Sequence, residues 1–310
     1  MIRDPQQRTA NRRTIFVIAF IVVALMAVPV TLRLLVTPAP ELNRTARELL
    51  PPEASRTEVI TLFAGPTPWR DAVAATLPSY AAAIEGCYGA RPPRGRTFDP
   101  VEGVLFDQED AFRQAWTQIF GRDDRAPGQV GIGRNRFFLY YVGLEGAEGA
   151  RQITPRQIAD VAHCFGSAVM EQYLGERYRY LPLWYRDIGS EMAAVAVMPE
   201  VVDDAWRTLL TDANGSPVSA ADAPSLIPAP AAFQAALSEW PVAPRFGALV
   251  TIIAGVNLDG MRAPDWIALV DSGNDVETTV RAVWGRSWDE LFAQLRQEAA
   301  RRATALRSRQ

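Results

Sequence analysis

The sequence predicts an α+β fold with a small N-terminal sheet and its helices, then a mostly helical C-terminal lobe, all preceded by one transmembrane helix. Three observations predict this arrangement. A charge-free apolar run lies near the N-terminus, strand and helix patterns alternate up to about residue 150, and helical periodicity dominates from residue 154. We expect the sheet lobe at residues 57–150 and the helical lobe at residues 151–310, together forming one domain.

The apolar run extends from Thr14 to Leu32 and holds 19 residues without a charge. A helix of that length rises about 1.5 Å per residue and can cross a hydrocarbon layer of about 30 Å, so we expect residues 14–36 to be an anchor in the lipid bilayer. Residues 1–13 carry four arginines against one aspartate. By the positive-inside rule, this tail is cytoplasmic and the bulk of a single-pass cell-membrane protein lies outside the cytoplasm. A cleaved signal peptide is the alternative.

Residues 37–56 are rich in proline and predict an extended stalk. In the sheet lobe beyond it, short apolar runs predict strands, apolar residues at helical spacing predict helices, and an aspartate before a helix predicts an N-cap. The predicted elements are a strand at Thr57–Ala64, a helix at Trp69–Cys87, a strand at Val101–Phe106, a helix capped by Asp107 and running to Phe120, and a hairpin at Gly128–Val142.

The helical lobe begins with a strong start signal. The motif from Thr154 to Gln157 supplies an N-cap, a proline at the first helical position and a glutamine that can return the hydrogen bond of the cap. We expect this helix to run to about Tyr173, with His163 and Ser167 together on the polar face opposite its apolar stripe. The later predictions are a helix from Leu183 to about Met198, a surface loop at residues 211–230, three short helices, and a last helix that opens with a capping box at Ser287 to Glu290.

The composition excludes several classes of protein. All 32 cationic residues are arginine, so no lysine amine is present for a P-loop, a Schiff base or a pyridoxal phosphate site. His163 is the only histidine, and Cys87 and Cys164 are the only cysteines, which excludes zinc ribbons, iron–sulfur clusters and any site with two imidazoles. The formal charge of −3 gives no indication of a nucleic-acid partner. The cysteines fit either buried thiols or a disulfide, and their spacing does not decide between the two.

The segment from Ala162 to Ala194 resembles the active-site region of the peptidase MA-like gluzincin family of zinc metallopeptidases. In that family a helix with the motif H-E-x-x-H is followed, about twenty residues later, by L-P-x-W-x-x-E-G-x-A-E-Y. Leu181, Pro182 and Trp184 keep the frame of the second motif. The order of elements before the motif and the end of the chain are also similar, so the resemblance covers Thr57 to about Ala300. It implies a zincin-like fold.

The positions that the family uses for zinc have mostly changed. His163 matches the first zinc ligand, whereas Cys164 replaces the glutamate that acts as general base. Ser167 replaces the second histidine and Asp187 replaces the third ligand, while Glu191 matches the last glutamate of the second motif. A gluzincin site needs two imidazoles and a carboxylate to hold Zn²⁺, and this chain has one histidine. The resemblance therefore implies a degenerate member of the family.

The predicted function is that of a membrane-anchored, extracytoplasmic pseudo-metallopeptidase that acts as a binding or assembly module. We expect no cofactor, and a protein or peptide partner at the vestigial cleft beside the hairpin. One alternative is an active zinc metallopeptidase with an atypical ligand set, for which His163, Asp187 and Glu191 are the candidate ligands. A second alternative is a structural envelope protein whose cleft is vestigial.

Overall fold

The structure, a computed structural model, describes residues 47–88, 100–121, 130–132, 137–142, 153–174, 183–237, 244–257 and 276–308. The chain divides into two compact units, residues 1–41 and 42–310, and the described residues all belong to the second. The predicted anchor at residues 14–36 lies outside the described residues. Within the described ranges, no helix combines the length and the apolar character needed to cross a membrane.

A five-stranded sheet has the strand order β1-β2-β3-β5-β4. Its strands are β1 (Glu53–Arg56), β2 (Ile60–Ala64), β3 (Val101–Phe106), β4 (Val130–Ile132) and β5 (Phe137–Tyr141). The three inner strands β2, β3 and β5 run parallel, whereas β1 and β4 pair antiparallel at the two edges. The fold class is therefore mixed α+β, as predicted.

Side chains of β5 alternate between two cores, as expected for a strand buried on both faces. Phe138 and Tyr140 enter the main core, while Phe137 and Leu139 enter a smaller core on the other face of the sheet. Gly103 on β3 lies opposite Phe138, and a Cβ at this position would come within 2.6 Å of the phenyl ring. The packing of that ring therefore requires glycine on β3.

The helices cover both faces of the sheet. They are α1 (Pro68–Ala75), α2 (Leu77–Tyr88), α3 (Glu109–Phe120), α4 (Pro155–Leu174), α5 (Leu183–Val197), α6 (Val201–Leu209), α7 (Pro230–Leu237), α8 (Pro244–Asn257), α9 (Val276–Trp284) and α10 (Trp288–Arg307). Helix α3 packs on the smaller core through Phe112 and Ala115. On the other face, α4 and α5 pack extensively on each other, and α8 packs on α5 and α6.

Two glycines let α4 and α5 approach each other closely. A Cβ on Gly166 would lie 2.8 Å from the carbonyl oxygen of Ser190, and a Cβ on Gly189 would overlap the sulfur of Met170. In the same interface the Ser167 hydroxyl donates a hydrogen bond of 2.6 Å to the Ser190 hydroxyl. Both hydroxyls are buried, so Ser167 lies inside the helix interface and is not exposed on a polar face with His163.

Both predicted capping boxes are confirmed. The Thr154 N–H donates to Gln157 Oε1 at 2.8 Å, and the Gln157 N–H donates to Thr154 Oγ1 at 3.2 Å. Ser287 and Glu290 exchange the same pair of hydrogen bonds at the start of α10. These bonds satisfy N–H groups that have no partner within the helix, which explains why the two starts could be predicted.

The boundary between the predicted stalk and the sheet differs from the prediction. Residues 53–56 belong to the sheet as β1, and the strand predicted from Thr57 begins at Ile60. The Thr57 hydroxyl accepts hydrogen bonds from the N–H groups of Val59 and Ile60, at 3.3 and 3.2 Å. Thr57 therefore belongs to the turn that joins β1 to β2.

Two predictions about the next helices are wrong. The single helix predicted at Trp69–Cys87 is two helices, because Pro78 has no N–H to donate to the fourth residue before it and α1 ends at Ala75. Asp107 is not the cap of α3. The extended backbone of Gln108 takes the cap position, and α3 begins one residue later.

The predicted hairpin is confirmed, because β4 pairs antiparallel with β5 and Val130 lies opposite Tyr140. Its turn lies outside the described residues. The predicted loop at residues 211–230 contains a short 3-10 helix, Ala223–Leu226. Helix α6 was not predicted at all.

Candidate functional site

A cleft of about 510 Å³ lies beside α4 and α5, and α6, α7 and α8 complete its wall. Arg156 and His163 line it from α4, and Asp187 and Glu191 line it from α5. Its apolar lining comes from the other three helices and includes Val201, Ala205, Leu237, Pro244, Ala248 and Val250. Three of the five predicted positions, His163, Asp187 and Glu191, therefore converge on one cleft.

Helical spacing explains why these side chains meet. Arg156, Asp160 and His163 follow one another at intervals of four and three residues, which places them along one side of α4. Asp187 and Glu191 are four residues apart and share a side of α5 in the same way. Because α4 packs directly on α5, the two sets of polar side chains face each other.

Glu191 is at the centre of the hydrogen bonds in the cleft. Its Oε1 accepts hydrogen bonds from the Arg156 guanidinium at 2.7 Å and from the Thr251 hydroxyl at 2.6 Å. Its Oε2 lies 2.7 Å from Nδ1 of His163. The Glu191 side chain is only 3% exposed, so these three partners take the place of water around the carboxylate.

Arg156 holds a second carboxylate and connects the cleft to the sheet. Its Nε donates to Asp160 Oδ1 at 2.7 Å, in addition to its pairing with Glu191. The Tyr140 hydroxyl of β5 donates to the other oxygen of Asp160 at 3.2 Å. Through Thr251, which accepts a hydrogen bond of 3.1 Å from Arg156, the same network reaches α8.

The charges in this network set the pKa values of its members. Burial raises the pKa of Glu191, but the charge of Arg156 and the hydrogen bond with His163 outweigh it and hold the pKa well below its usual value. Burial lowers the pKa of His163, yet the hydrogen bond and charge of Glu191 outweigh burial and raise the pKa above 6.5. Burial raises the pKa of Asp187, and the nearby His163 offsets this only in part.

Cys164 and Ser167 do not belong to the cleft. The Cys164 side chain is fully buried in the main core, and burial raises the pKa of its thiol well above the usual value. It lies one residue after His163 and therefore about 100° around the helix. Ser167 is bonded to Ser190 instead of facing His163. Cys87 is also buried, and both cysteines are free thiols, so the disulfide alternative is wrong.

Zinc, the metal of the family that the sequence resembles, does not fit the residues of this cleft. In the described part of the chain, no three side chains of His, Cys, Asp or Glu are grouped so that they could hold a metal ion. Both oxygens of Glu191 already have hydrogen-bonding partners. The cation of Arg156 lies 2.7 Å from the same carboxylate and would repel a second cation there.

Comparisons with protein-family models, characterised proteins and solved structures gave no match. The function of the chain is therefore inferred from its motifs and from the geometry of the cleft.

Sequence reasoning missed Arg156 and Thr251 as members of the site. The signal for Arg156 was available, since it precedes Asp160 by four residues and His163 by seven on a helix whose start was correctly predicted. Thr251 lies 60 residues from Glu191 in the sequence, and only the packing of α8 on α5 brings the two together. A threonine inside the apolar run of α8 was the only local indication that a buried polar partner was needed.

Proposed function

We propose that this chain is a membrane-anchored, extracytoplasmic binding or assembly module with the layout of a zincin-like metallopeptidase but without the metal centre or the peptidase activity. The observation that carries the proposal is the position of Arg156. Its guanidinium, and not a metal ion, provides the positive charge beside Glu191 on the floor of the cleft.

The groups needed for hydrolysis are also missing from their expected places. A gluzincin uses a glutamate next to its first histidine to activate water on the metal. The residue at that position here is Cys164, a buried thiol on another side of α4. Ser167 is unsuitable as a nucleophile for His163, because its hydroxyl donates to Ser190. These features favour loss of catalysis over a changed mechanism.

The proposed zincin-like layout is supported by how the motif residues are arranged. The helix with His163 packs on the helix with Asp187 and Glu191, and a sheet with an edge strand precedes both. His163 and Glu191 are in direct contact. A common origin with metallopeptidases explains why a cleft persists although its ligands have been replaced.

The binding surface that we propose extends from the cleft to the edge strand β4. In the described sheet β4 has one neighbour, β5, so an extended partner segment can pair with its free edge. Val130 of β4 lies opposite Tyr140, whose hydroxyl bonds Asp160 beside Arg156. These contacts connect β4 to the cleft through β5 and α4, and we propose that one partner segment contacts both.

Zinc analysis of the purified full chain, combined with a generic peptide-cleavage assay and a His163→Ala control, tests the proposal against the active-enzyme alternative. We expect far less than one zinc per chain and no cleavage that depends on His163. Stoichiometric zinc together with His163-dependent cleavage would overturn the proposal.

Capture of partners by a cleft variant tests the binding module against the structural alternative. Gly247 lines the cleft on α8, and a Cβ there would meet nothing within 4 Å, so Gly247→Leu introduces a bulky side chain at a position with open space around its Cβ. Gly86→Leu on α2 is the matched control, since its Cβ also meets nothing and it lies outside the cleft lining. Loss of partners in Gly247→Leu alone supports the binding module. Identical partners in both variants would favour a structural envelope protein.

The anchor is a separate part of the proposal and has its own test. The full chain should stay with membranes after an alkaline wash, whereas a chain without residues 1–36 should be released. Protease added to intact cells should cut the bulk of the chain if it lies outside the cytoplasm.

A further inference from the structure

We propose that the cleft binds a cationic side chain, lysine or arginine, from an extended partner peptide, and that Asp187 is the residue that pairs with it. The inference rests on the proposed function and names the ligand class of the same cleft.

Asp187 is the acidic side chain on the cleft floor that other described residues leave without a hydrogen bond. Glu191 has three hydrogen-bonding partners and Asp160 has two. Among the described residues, no N–H or O–H donates to the Asp187 carboxylate, although the side chain lines the cleft and is partly buried. Burial raises its pKa, which is the expected effect when a carboxylate loses water without gaining donors.

The charge balance of the floor also favours a cation. Asp187 and Glu191 line the floor and Asp160 lies beside Arg156, so three carboxylates face the Arg156 guanidinium, the His163 imidazole and the charge of Arg186 near Asp187. The three carboxylates outnumber the two guanidinium groups, so the floor is negative while the imidazole is neutral. On the opposite wall Asp204 is paired with Arg207 at 2.6 Å, so that wall adds no uncompensated positive charge. An anionic ligand would find the guanidinium on the floor already held by two carboxylates.

The shape and the walls of the cleft fit a long side chain with an apolar stem. Lysine and arginine bury their methylene groups along apolar surface while the charged head reaches a polar partner. The apolar wall includes Leu237 and Val250, and the volume of about 510 Å³ is within the range of about 300–1,000 Å³ that is typical of ligand pockets. The cleft therefore accommodates a cationic side chain together with an apolar neighbour from the same peptide.

Three matched peptides test the inference on the full chain in a neutral detergent. They are acetyl-Ala-Val-Lys-Val-Ala-amide and its counterparts with norleucine or glutamate in place of lysine. Calorimetric titration should show the lysine peptide binding about tenfold or more tightly than the norleucine peptide, since a hydrogen bond to a charged group contributes about 1.5–3 kcal/mol. The glutamate peptide should not bind.

Two variants then assign the effect to one carboxylate. Asp187→Asn keeps the shape of the side chain and removes its charge. It should therefore weaken binding of the lysine peptide about tenfold and leave the affinity for the norleucine peptide unchanged. Asp203→Asn is the matched control, because it removes the same charge from α6. Asp203 pairs with Arg302, and neither residue lines the cleft. This control should leave the affinities for all three peptides unchanged.

The outcomes separate this inference from the proposed function. Equal affinity for the lysine and norleucine peptides, or an Asp187→Asn chain that binds lysine normally, would overturn the cation site. If Gly247→Leu nevertheless abolished binding of both peptides, the binding module would stand without a preference for cations. Absence of binding for all three peptides would also reject the inference, whereas His163-dependent cleavage with bound zinc would reject the proposed function. The peptide comparison needs no variant, so it stays decisive even if Asp187→Asn fails to fold.

Discussion

Replacement of Arg156 by methionine should strongly destabilise the chain. The substitution keeps an unbranched side chain on α4 but removes the cation that pairs with Glu191 and Asp160. Removing one partner of a buried ion pair costs about 3–5 kcal/mol, because the other charge is left without compensation. The Arg156 side chain is 43% exposed, so water already screens part of its charge, and we expect a loss near the lower end, about 3 kcal/mol.

Urea unfolding of the full chain, followed by tryptophan fluorescence, measures this loss. For a slope of about 3 kcal/mol per molar urea, the midpoint should fall by about 1 M. Arg207→Met is the matched control, since the pair between Arg207 and Asp204 is exposed and should contribute less than about 1 kcal/mol. The double variant Arg156→Met with Glu191→Met should recover much of the stability, because it removes both charges from the interior.

Two results would contradict this expectation. A loss below about 1 kcal/mol for Arg156→Met would mean that Glu191 does not depend on the guanidinium. A double variant that loses as much as the sum of its two single variants would show that the two charges are not coupled.

Three further predictions concern the helix interface, the imidazole and the thiols. The pKa of His163, read from the single histidine signal in a proton NMR titration, should lie above 6.5. The pairing of His163 with Glu191 then contributes its whole stabilisation below pH 6.5 and loses it as the pH rises through the pKa of the folded state. A titration midpoint below 6.5 would contradict the predicted direction of the shift. Gly166→Ala should lower the free energy of unfolding by about 1–3 kcal/mol, because its Cβ meets a carbonyl oxygen of α5. Gly86→Ala has open space around its Cβ and should leave the stability unchanged. Equal melting temperatures for the two variants would refute the clash. Cys87, with a pKa raised by burial to about 11, and Cys164 should react with a disulfide reagent only after unfolding, so fast modification of the folded chain would refute their burial.

The sequence was most informative where structure is fixed by local interactions. The starts of α4 and α10 depend on side chains three residues apart, and both capping boxes were predicted correctly. The strand at Val101–Phe106 was predicted with its observed bounds, because its short length and its β-branched and aromatic residues favour a strand over a buried helix. Helix α6 was not predicted, although Val201, Ala205 and Leu209 have helical spacing.

The candidate site could be predicted only in part. The sequence predicted the two helices that carry His163, Asp187 and Glu191, and the structure places these three side chains in one cleft. The role of Thr251 could not be predicted, because its partner Glu191 lies 60 residues earlier and the pairing depends on how α8 packs. The substitution pattern predicted the loss of zinc ligands, but it gave no indication that an arginine provides the positive charge beside Glu191.

The positive charge of Arg156 beside Glu191 is part of the polypeptide. A bound ion can be lost by dilution, by chelation or through shortage, whereas a guanidinium stays covalently attached to its helix. Burial lowers the pKa of Arg156, but the charges of Glu191 and Asp160 outweigh burial and raise it, so the guanidinium stays protonated at physiological pH. The pairing of Arg156 with Glu191 therefore forms as soon as the chain folds.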